Sequence, residues 1–131
     1  MATHLGKDGV VKVSTNTVAE VRTWTLNEAA DVVDASVIGD DWKVQKTTLK
    51  SWHGTLTCFW DETDTTGQAA LAIGASVTLN LYPEGSADGS TYFTGTALVT
   101  GVDVSAAHNG LVEANIVFQG TGALTISTVD L

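Results

Sequence analysis

The sequence is poor in the residues that cross-link small domains or interrupt sheets, with one cysteine and one proline among 131 residues. A single cysteine cannot form an intrachain disulfide, which argues against a disulfide-stapled secreted module. Cys58 falls on the apolar side of an alternating segment, so it is predicted to be a buried small hydrophobe. A chain of this length can bury about two-thirds of its surface, and we predict a single domain over residues 1–131.

Long hydrophobic runs are also missing. The longest apolar run, AALAIGA, is far shorter than the ~18 residues of a membrane span, so no membrane binding is expected. The N-terminal stretch MATHLGKDGVVKV lacks the apolar centre of a signal peptide. We therefore expect a protein that is not secreted.

Positive charge is absent from the second part of the chain, because no lysine or arginine follows Lys50. The whole chain has 15 acidic and 6 basic residues, for a net charge of −9. Binding to a phosphate backbone requires clustered lysine and arginine side chains. A nucleic-acid-binding function is therefore excluded, and nearby DNA should be repelled.

Short alternating segments separated by glycine, serine and asparagine turns predict an all-β fold, either a β-sandwich or an open barrel. The predicted strands are residues 10–14, 17–26, 48–60, 75–82, 92–104, 111–119 and 123–130. In the segment LVEANIVFQ, apolar and polar residues alternate, which indicates one buried and one polar face. The same pattern places Trp52 and Trp60 together on the apolar face of their strand.

A cluster of three acids, Asp61, Glu62 and Asp64, follows this strand. The run TTGQAALAIG comes next and predicts one short α-helix near residues 64–73, with Asp61 or Asp64 as its N-cap. A calcium loop counted from Glu62 would need a glutamate where Ile73 stands, so the cluster does not fit that motif. No metal site is predicted.

Residues 27–47, NEAADVVDASVIGDDWKVQKT, break the regular strand pattern and are predicted to form a long inter-strand loop. Apolar residues and charges of both signs suit a protein–protein contact. Packing of the loop on its own domain is the alternative. The candidate contact residues are Asp40, Asp41, Trp42, Lys43 and Lys46.

Catalytic motifs are not found. The sequence has no nucleophile elbow, phosphate-binding loop, HExxH or CxxC. Cys58 and His53 are five positions apart in one predicted strand, so they should point to opposite faces and cannot form a catalytic pair. No catalytic residue and no cofactor are predicted, and the chain is not expected to be an enzyme.

An ordered series of features covers nearly the whole chain. It consists of the arm HLGKDGVVKV, the strand VAEVRTWTL, the charged loop, the strand SWHGTLTCFWD, the run TTGQAALAIG, a strand ending in YPEG, the strand YFTGTALVTG and the tail FQGTGALT. This series resembles the major tail tube proteins of long-tailed, siphovirus-like bacteriophages and related gene transfer agents. No single segment is a strong motif; the order of the segments carries the resemblance.

The resemblance implies a structural virion protein of the viral tail. Six subunits would form a ring, their sheets would join into one β-barrel around a channel, and rings would stack into a tube. DNA would pass through the lumen without specific binding. The N-terminal arm, residues 1–9, and the loop at residues 27–47 would reach the neighbouring ring. Implied partners are the tail-tip or initiator protein, the tape measure protein and the tail terminator protein.

An acidic lumen would repel phosphates and let DNA slide. The lumen-lining candidates are Glu20, Arg22, Asp103 and Glu113. Arg22 departs from an all-acidic lumen, and pairing with an acid of the next subunit is one role open to it. The competing interpretation is a carbohydrate-binding or other ligand-binding β-sandwich module that uses exposed tryptophan and tyrosine rings.

Overall fold

The computed structural model describes residues 9–61 and 63–130, and in these ranges it contains one antiparallel sheet of eight strands. The strands are β1 Val10–Val13, β2 Asn16–Thr17, β3 Val21–Asp34, β4 Gln45–Phe59, β5 Ser76–Tyr82, β6 Thr91–Ser105, β7 Glu113–Gly120 and β8 Thr125–Thr128. The predicted all-β class is confirmed. Except for Gly9, the predicted N-terminal arm lies outside the described residues.

The strands follow the order β2-β1-β5-β6-β7-β4-β3, and β8 pairs with the first residues of β6. The sheet is more than a chain of hairpins, because β4 pairs with β7, which is distant in sequence. The register brings Leu56 opposite Ile116 and Gly54 opposite Phe118. These long-range pairs put the apolar faces of β4 and β7 side by side, and β6 adds Val99 opposite Phe118.

The core lies on one face of the sheet. In β7, the alternation predicted from the sequence is confirmed, since Ala114, Ile116 and Phe118 are buried and their neighbours are not. Trp52 packs edge-on against Phe118, with ring centroids 6.3 Å apart. The remaining buried core residues include Val11, Val13, Val18, Leu56, Leu71, Leu79, Leu81, Ala97 and Val99. Cys58 is fully buried, as predicted.

Glycine is required where the large core rings approach the backbone. A Cβ added at Gly120 would overlap the indole of Trp52, and one at Gly54 would overlap the carbonyl oxygen of Thr25. Strand glycines commonly mark such close approaches. The two glycines therefore make room for the Trp52–Phe118 pair.

The predicted α-helix at residues 64–73 is wrong in type and length, because a 3-10 helix covers only Gln68–Ala70. An isolated helix this short gains little from propensity alone. Tertiary contacts decide instead, since the side chain of Leu71 enters the core and the backbone N–H of Gly74 bonds to the carbonyl of Val99 in β6. No helix in the described ranges is long and apolar enough to cross a membrane.

The predicted long loop at residues 27–47 is also wrong in extent. β3 continues to Asp34 and β4 begins at Gln45, so only residues 35–44 connect them. The two strands pair along their length, with irregularities between Val21 and Thr23 and between Ala30 and Val32. Trp60 differs from prediction too, because β4 ends at Phe59 and the Trp60 side chain is 46% exposed.

Candidate assembly surfaces

Residues 27–51, which we call the projecting hairpin, extend beyond the core. Every residue in this range is exposed. Seven of the exposed residues have large apolar side chains, namely Val32, Val33, Val37, Ile38, Trp42, Val44 and Leu49. Exposed apolar surface of this extent is typical of interaction sites. The alternative that this segment packs on its own domain is not what the structure shows.

The tip of the projecting hairpin is held in shape by its own polar groups. The Asp34 carboxylate accepts the N–H of Ser36, and the Asp40 carboxylate accepts the N–H of Val37, each at 2.9 Å. The Ser36 hydroxyl oxygen in turn accepts the N–H of Val44 at 2.7 Å. Hydrogen bonds from the backbone and side chain of Ser36 lower the pKa of Asp34. The tip is therefore preorganised, which reduces the entropy cost of binding.

The five contact residues predicted from the sequence all belong to this hairpin. Asp40, Asp41, Trp42 and Lys43 lie in the connection, and Lys46 lies in β4 opposite Val33. All five are exposed, and Trp42 is 86% exposed. Their role in ring stacking or subunit contacts stays a prediction.

A second surface, which we call the polar face, is the side of β3, β4, β7 and β6 opposite the core. Backbone pairing aligns Thr23, Thr57, Asn115 and Asp103 in one row across the four strands. The Thr57 hydroxyl donates to the side-chain oxygen of Asn115 at 3.3 Å. The alternation in LVEANIVFQ predicts a polar face in one strand, but only the pairing register shows that polar residues of four strands form rows.

Of the predicted lumen candidates, Arg22, Asp103 and Glu113 lie in strands of the polar face, and Glu20 lies in the turn before β3. The Arg22 guanidinium bonds to the Glu113 carboxylate at 2.6 Å and lies over the Phe59 ring, 4.8 Å from its centroid. Arg22 thus has an acidic partner within its own chain. Asp103 lies exposed in the next strand, while Glu20 precedes β3 with a φ of 60° and lies beside Trp60.

The acidic cluster after β4 serves the fold. The Asp64 carboxylate accepts backbone N–H groups from Ala19, Gly67 and Gln68 at 2.8, 3.1 and 3.0 Å. Burial raises the pKa of Asp64, but these three bonds lower it by more, so the pKa lies below its ordinary value. Gly67, and not the predicted Asp61 or Asp64, occupies the N-cap position of the 3-10 helix, and Asp64 supports the turn that precedes it.

Asp61 and Gln68 complete this structural cluster. The Asp61 carboxylate accepts the N–H and hydroxyl of Thr63, and the Asp61 N–H donates to the Gln68 side-chain oxygen at 3.0 Å. The buried Gln68 amide also donates to the carbonyls of Ala19 and Phe59. Gln68 is a single polar residue beside an apolar run, so no sequence pattern indicates its role. Among the described residues, which exclude Glu62, no three metal-ligating side chains cluster.

One known protein family matches most of the chain. Residues 3–126 match the model of a family described as phage tail tube protein. No curated protein matches the chain.

The fold is similar to several solved structures. One is the tail of an empty gene transfer agent (GTA) particle with C6 symmetry, with 19% identity, a TM-score of 0.80 and coverage of 96% of this chain and 100% of that one. Another is the SPP1 tail tube, with 12% identity, a TM-score of 0.72 and coverage of 98% and 81%. A third is the cap that terminates the anti-feeding prophage tube, with 12% identity, a TM-score of 0.73 and coverage of 98% and 93%.

Proposed function

The chain belongs to the phage tail tube protein family and is a structural protein rather than an enzyme; from this premise we propose that six copies form a ring and that rings stack into a hollow tail tube. The C6 symmetry of the GTA tail, which shares this fold, supports the number six. The tube belongs to a virion or gene transfer agent particle, and its subunits are made in the host cytoplasm.

The observation that carries the proposal is a pair of open strand edges. Within the described residues, β3 pairs only with β4, and β6 beyond Val99 pairs only with β7. The four-stranded unit β3-β4-β7-β6 therefore has an unpaired strand edge on each side, along β3 and along β6 beyond Val99. Open edges invite pairing with another chain, and closing a sheet into a barrel removes them. β3 of one subunit would pair with β6 of the next around the ring.

Ring closure of this kind turns the polar face toward the channel. That face carries little net charge, because Arg22 forms an ion pair with Glu113. Asp103 is then the one carboxylate in the row that it forms with Asn115, Thr57 and Thr23. Six copies would give a ring of six Asp103 carboxylates among threonine and asparagine side chains. This lumen repels phosphates weakly and offers them no cationic site, so DNA can pass without binding.

The projecting hairpin then serves contacts between rings, with Trp42 as an apolar anchor and the charged residues Asp40, Asp41, Lys43 and Lys46 around it. Tryptophan is among the residues that contribute most to interface energies. Further partners of the tube would be a tail-tip or initiator protein, a tape measure protein and a tail terminator protein. The likeness to a tube-terminating cap supports the last of these.

Negative-stain electron microscopy of the purified protein at increasing concentration tests this function. Rings or hollow tubes with sixfold end views are expected, with addition of tail-tip complexes or seed rings where spontaneous growth is slow. Small monomers that stay monomeric with such seeds would contradict the proposal. The carbohydrate-binding alternative would then be tested by quenching of tryptophan fluorescence with sugars.

A further inference from the structure

An apolar cleft, which we call the β4-end cleft, opens where β4 ends. It has a volume of about 380 Å³ and is lined mainly by apolar side chains. The lining residues used here are Trp60, Ala72, Ile73, Val102 and Ile116. Trp60 and Ile73 are 46% and 65% exposed, so the apolar surface continues outward from the cleft.

The cleft and the projecting hairpin lie at opposite ends of the same strand. β4 begins at Gln45 in the hairpin and runs 15 residues to Phe59, directly before Trp60. At the usual rise per residue this distance is roughly 50 Å. Two different surfaces at opposite ends of a molecule form a heterologous, head-to-tail contact, which repeats along a filament instead of closing.

The two surfaces also match in chemistry. Trp42 at the hairpin tip is the size of side chain that a cavity of this volume can hold, and Trp60 offers it an aromatic partner. Lys43 follows Trp42 directly, and a second depression beside Trp60 is lined by the acids Glu20 and Asp61. Opposite charges flanking an apolar anchor fix the register of a contact more than they add to its affinity.

We propose that the β4-end cleft receives Trp42 from the projecting hairpin of a second copy in the adjacent ring, with Lys43 facing Glu20 and Asp61. This inference rests on the proposed tube function and specifies the receiving site for the hairpin. It makes each subunit a donor at one end and an acceptor at the other, which gives the tube its direction.

Cross-linking in assembled tubes tests the inference. One variant carries Asp41→Cys beside Trp42 and Ile73→Cys at the cleft. The matched control carries Asp41→Cys with Ala87→Cys, an exposed site that follows β5, whereas Ile73 precedes that strand. Both are treated with a short bismaleimide after tube formation is checked by electron microscopy. The native Cys58 is fully buried and does not compete for the reagent.

The cleft pair should give a ladder of covalent multimers that extends well beyond six subunits, and the control pair should give none. Tubes that form with no ladder, or with equal ladders for both pairs, would overturn the cleft assignment and leave the tube function standing. Absence of tubes for the unmodified protein in the presence of seeds would overturn both.

Filling the cleft gives an independent readout. Ala72 lines the cleft, so the larger side chain of Ala72→Trp should fill it. Because Ala72 is exposed, the melting temperature should not change. Tube growth should be lost, whereas Ala87→Trp should grow tubes as the unmodified protein does. Normal growth of Ala72→Trp tubes would contradict the proposal.

Discussion

The two halves of β4 differ although they form one continuous strand. From Trp52 to Cys58 every second residue is buried, whereas Gln45–Ser51 are exposed on both faces. The first set packs into the subunit's own core, whereas the one large apolar side chain of the second set, Leu49, is 77% exposed. The difference indicates that the second half of the strand, from Trp52 on, is packed when the subunit folds, whereas the first half gains packing partners only on assembly. Substitutions in the two halves should therefore have different consequences.

The largest effect on stability is expected in the part of the subunit outside the projecting hairpin, which we call the body. Trp52 is 4% exposed and contacts Phe118, so Trp52→Ala should lower the free energy of unfolding by about 3–5 kcal/mol. That is a large part of the ~5–15 kcal/mol typical of a domain. Urea denaturation measures the change. A loss below about 1 kcal/mol would mean that the body and the hairpin are not as different as their burial indicates.

The same substitution in the projecting hairpin should affect assembly alone. Trp42 makes few contacts in its own chain, so Trp42→Ala should change the free energy of unfolding by less than about 0.5 kcal/mol. Tube growth followed by light scattering and electron microscopy should nevertheless stop. Ile126→Ala, at another exposed apolar side chain, is the control and should grow tubes. Normal polymerisation of the Trp42→Ala protein would contradict the role of Trp42 in contacts between rings.

Two aspartates whose pKa is lowered allow a finer comparison. Asp64 joins separate parts of the body through three backbone N–H groups, so Asp64→Asn should cost about 1–3 kcal/mol. Asp34 bonds only within the hairpin tip, and Asp34→Asn should leave the unfolding midpoint unchanged. Equal losses in the two variants would mean that the hairpin unfolds together with the body.

The pH dependence of the Asp64 contribution has a definite sign. Because the folded pKa of Asp64 is lowered, its stabilisation is fully present above the unfolded pKa of about 3.9 and is lost as the pH falls through the folded pKa. The stability difference between the unmodified protein and Asp64→Asn should therefore shrink below about pH 4. Denaturation curves at pH 7 and pH 3 measure it, and a difference that grows in acid would contradict the assignment.

The smallest effect is expected at the ion pair on the polar face. Arg22 and Glu113 are 50% and 38% exposed, so solvent screens their attraction and the coupling should be below about 1 kcal/mol. A double-mutant cycle of Arg22→Ala and Glu113→Gln at low and high salt measures it. A coupling well above this value that is insensitive to salt would show that the face is shielded from water even in the monomer.

The strands of the body could be predicted from the sequence, because their apolar and polar residues alternate as one face is buried within the same chain. In β7 the buried residues Ala114, Ile116 and Phe118 follow the expected period. The pairing of β4 with β7 could not be read from periodicity, because alternation does not specify a strand's neighbour.

The hairpin was predicted as a loop for a related physical reason. Neither of its faces is buried in the monomer, so Val32 and Val33 are adjacent apolar residues and no alternation appears. The Arg22–Glu113 pair was also not foreseen, since it depends on the register between strands. The contact candidates around Trp42 could be chosen from composition alone, and the cleft that we assign to them could not.

Hydrogen exchange of the backbone amides in monomers and in assembled tubes tests the central claim most directly. We expect residues 35–51 to exchange quickly in the monomer and to become protected in the tube, because their packing partners lie in the adjacent subunit. The segment Trp52–Phe59 should be protected in both states. Protection of the hairpin that is the same in monomers and tubes would contradict the account.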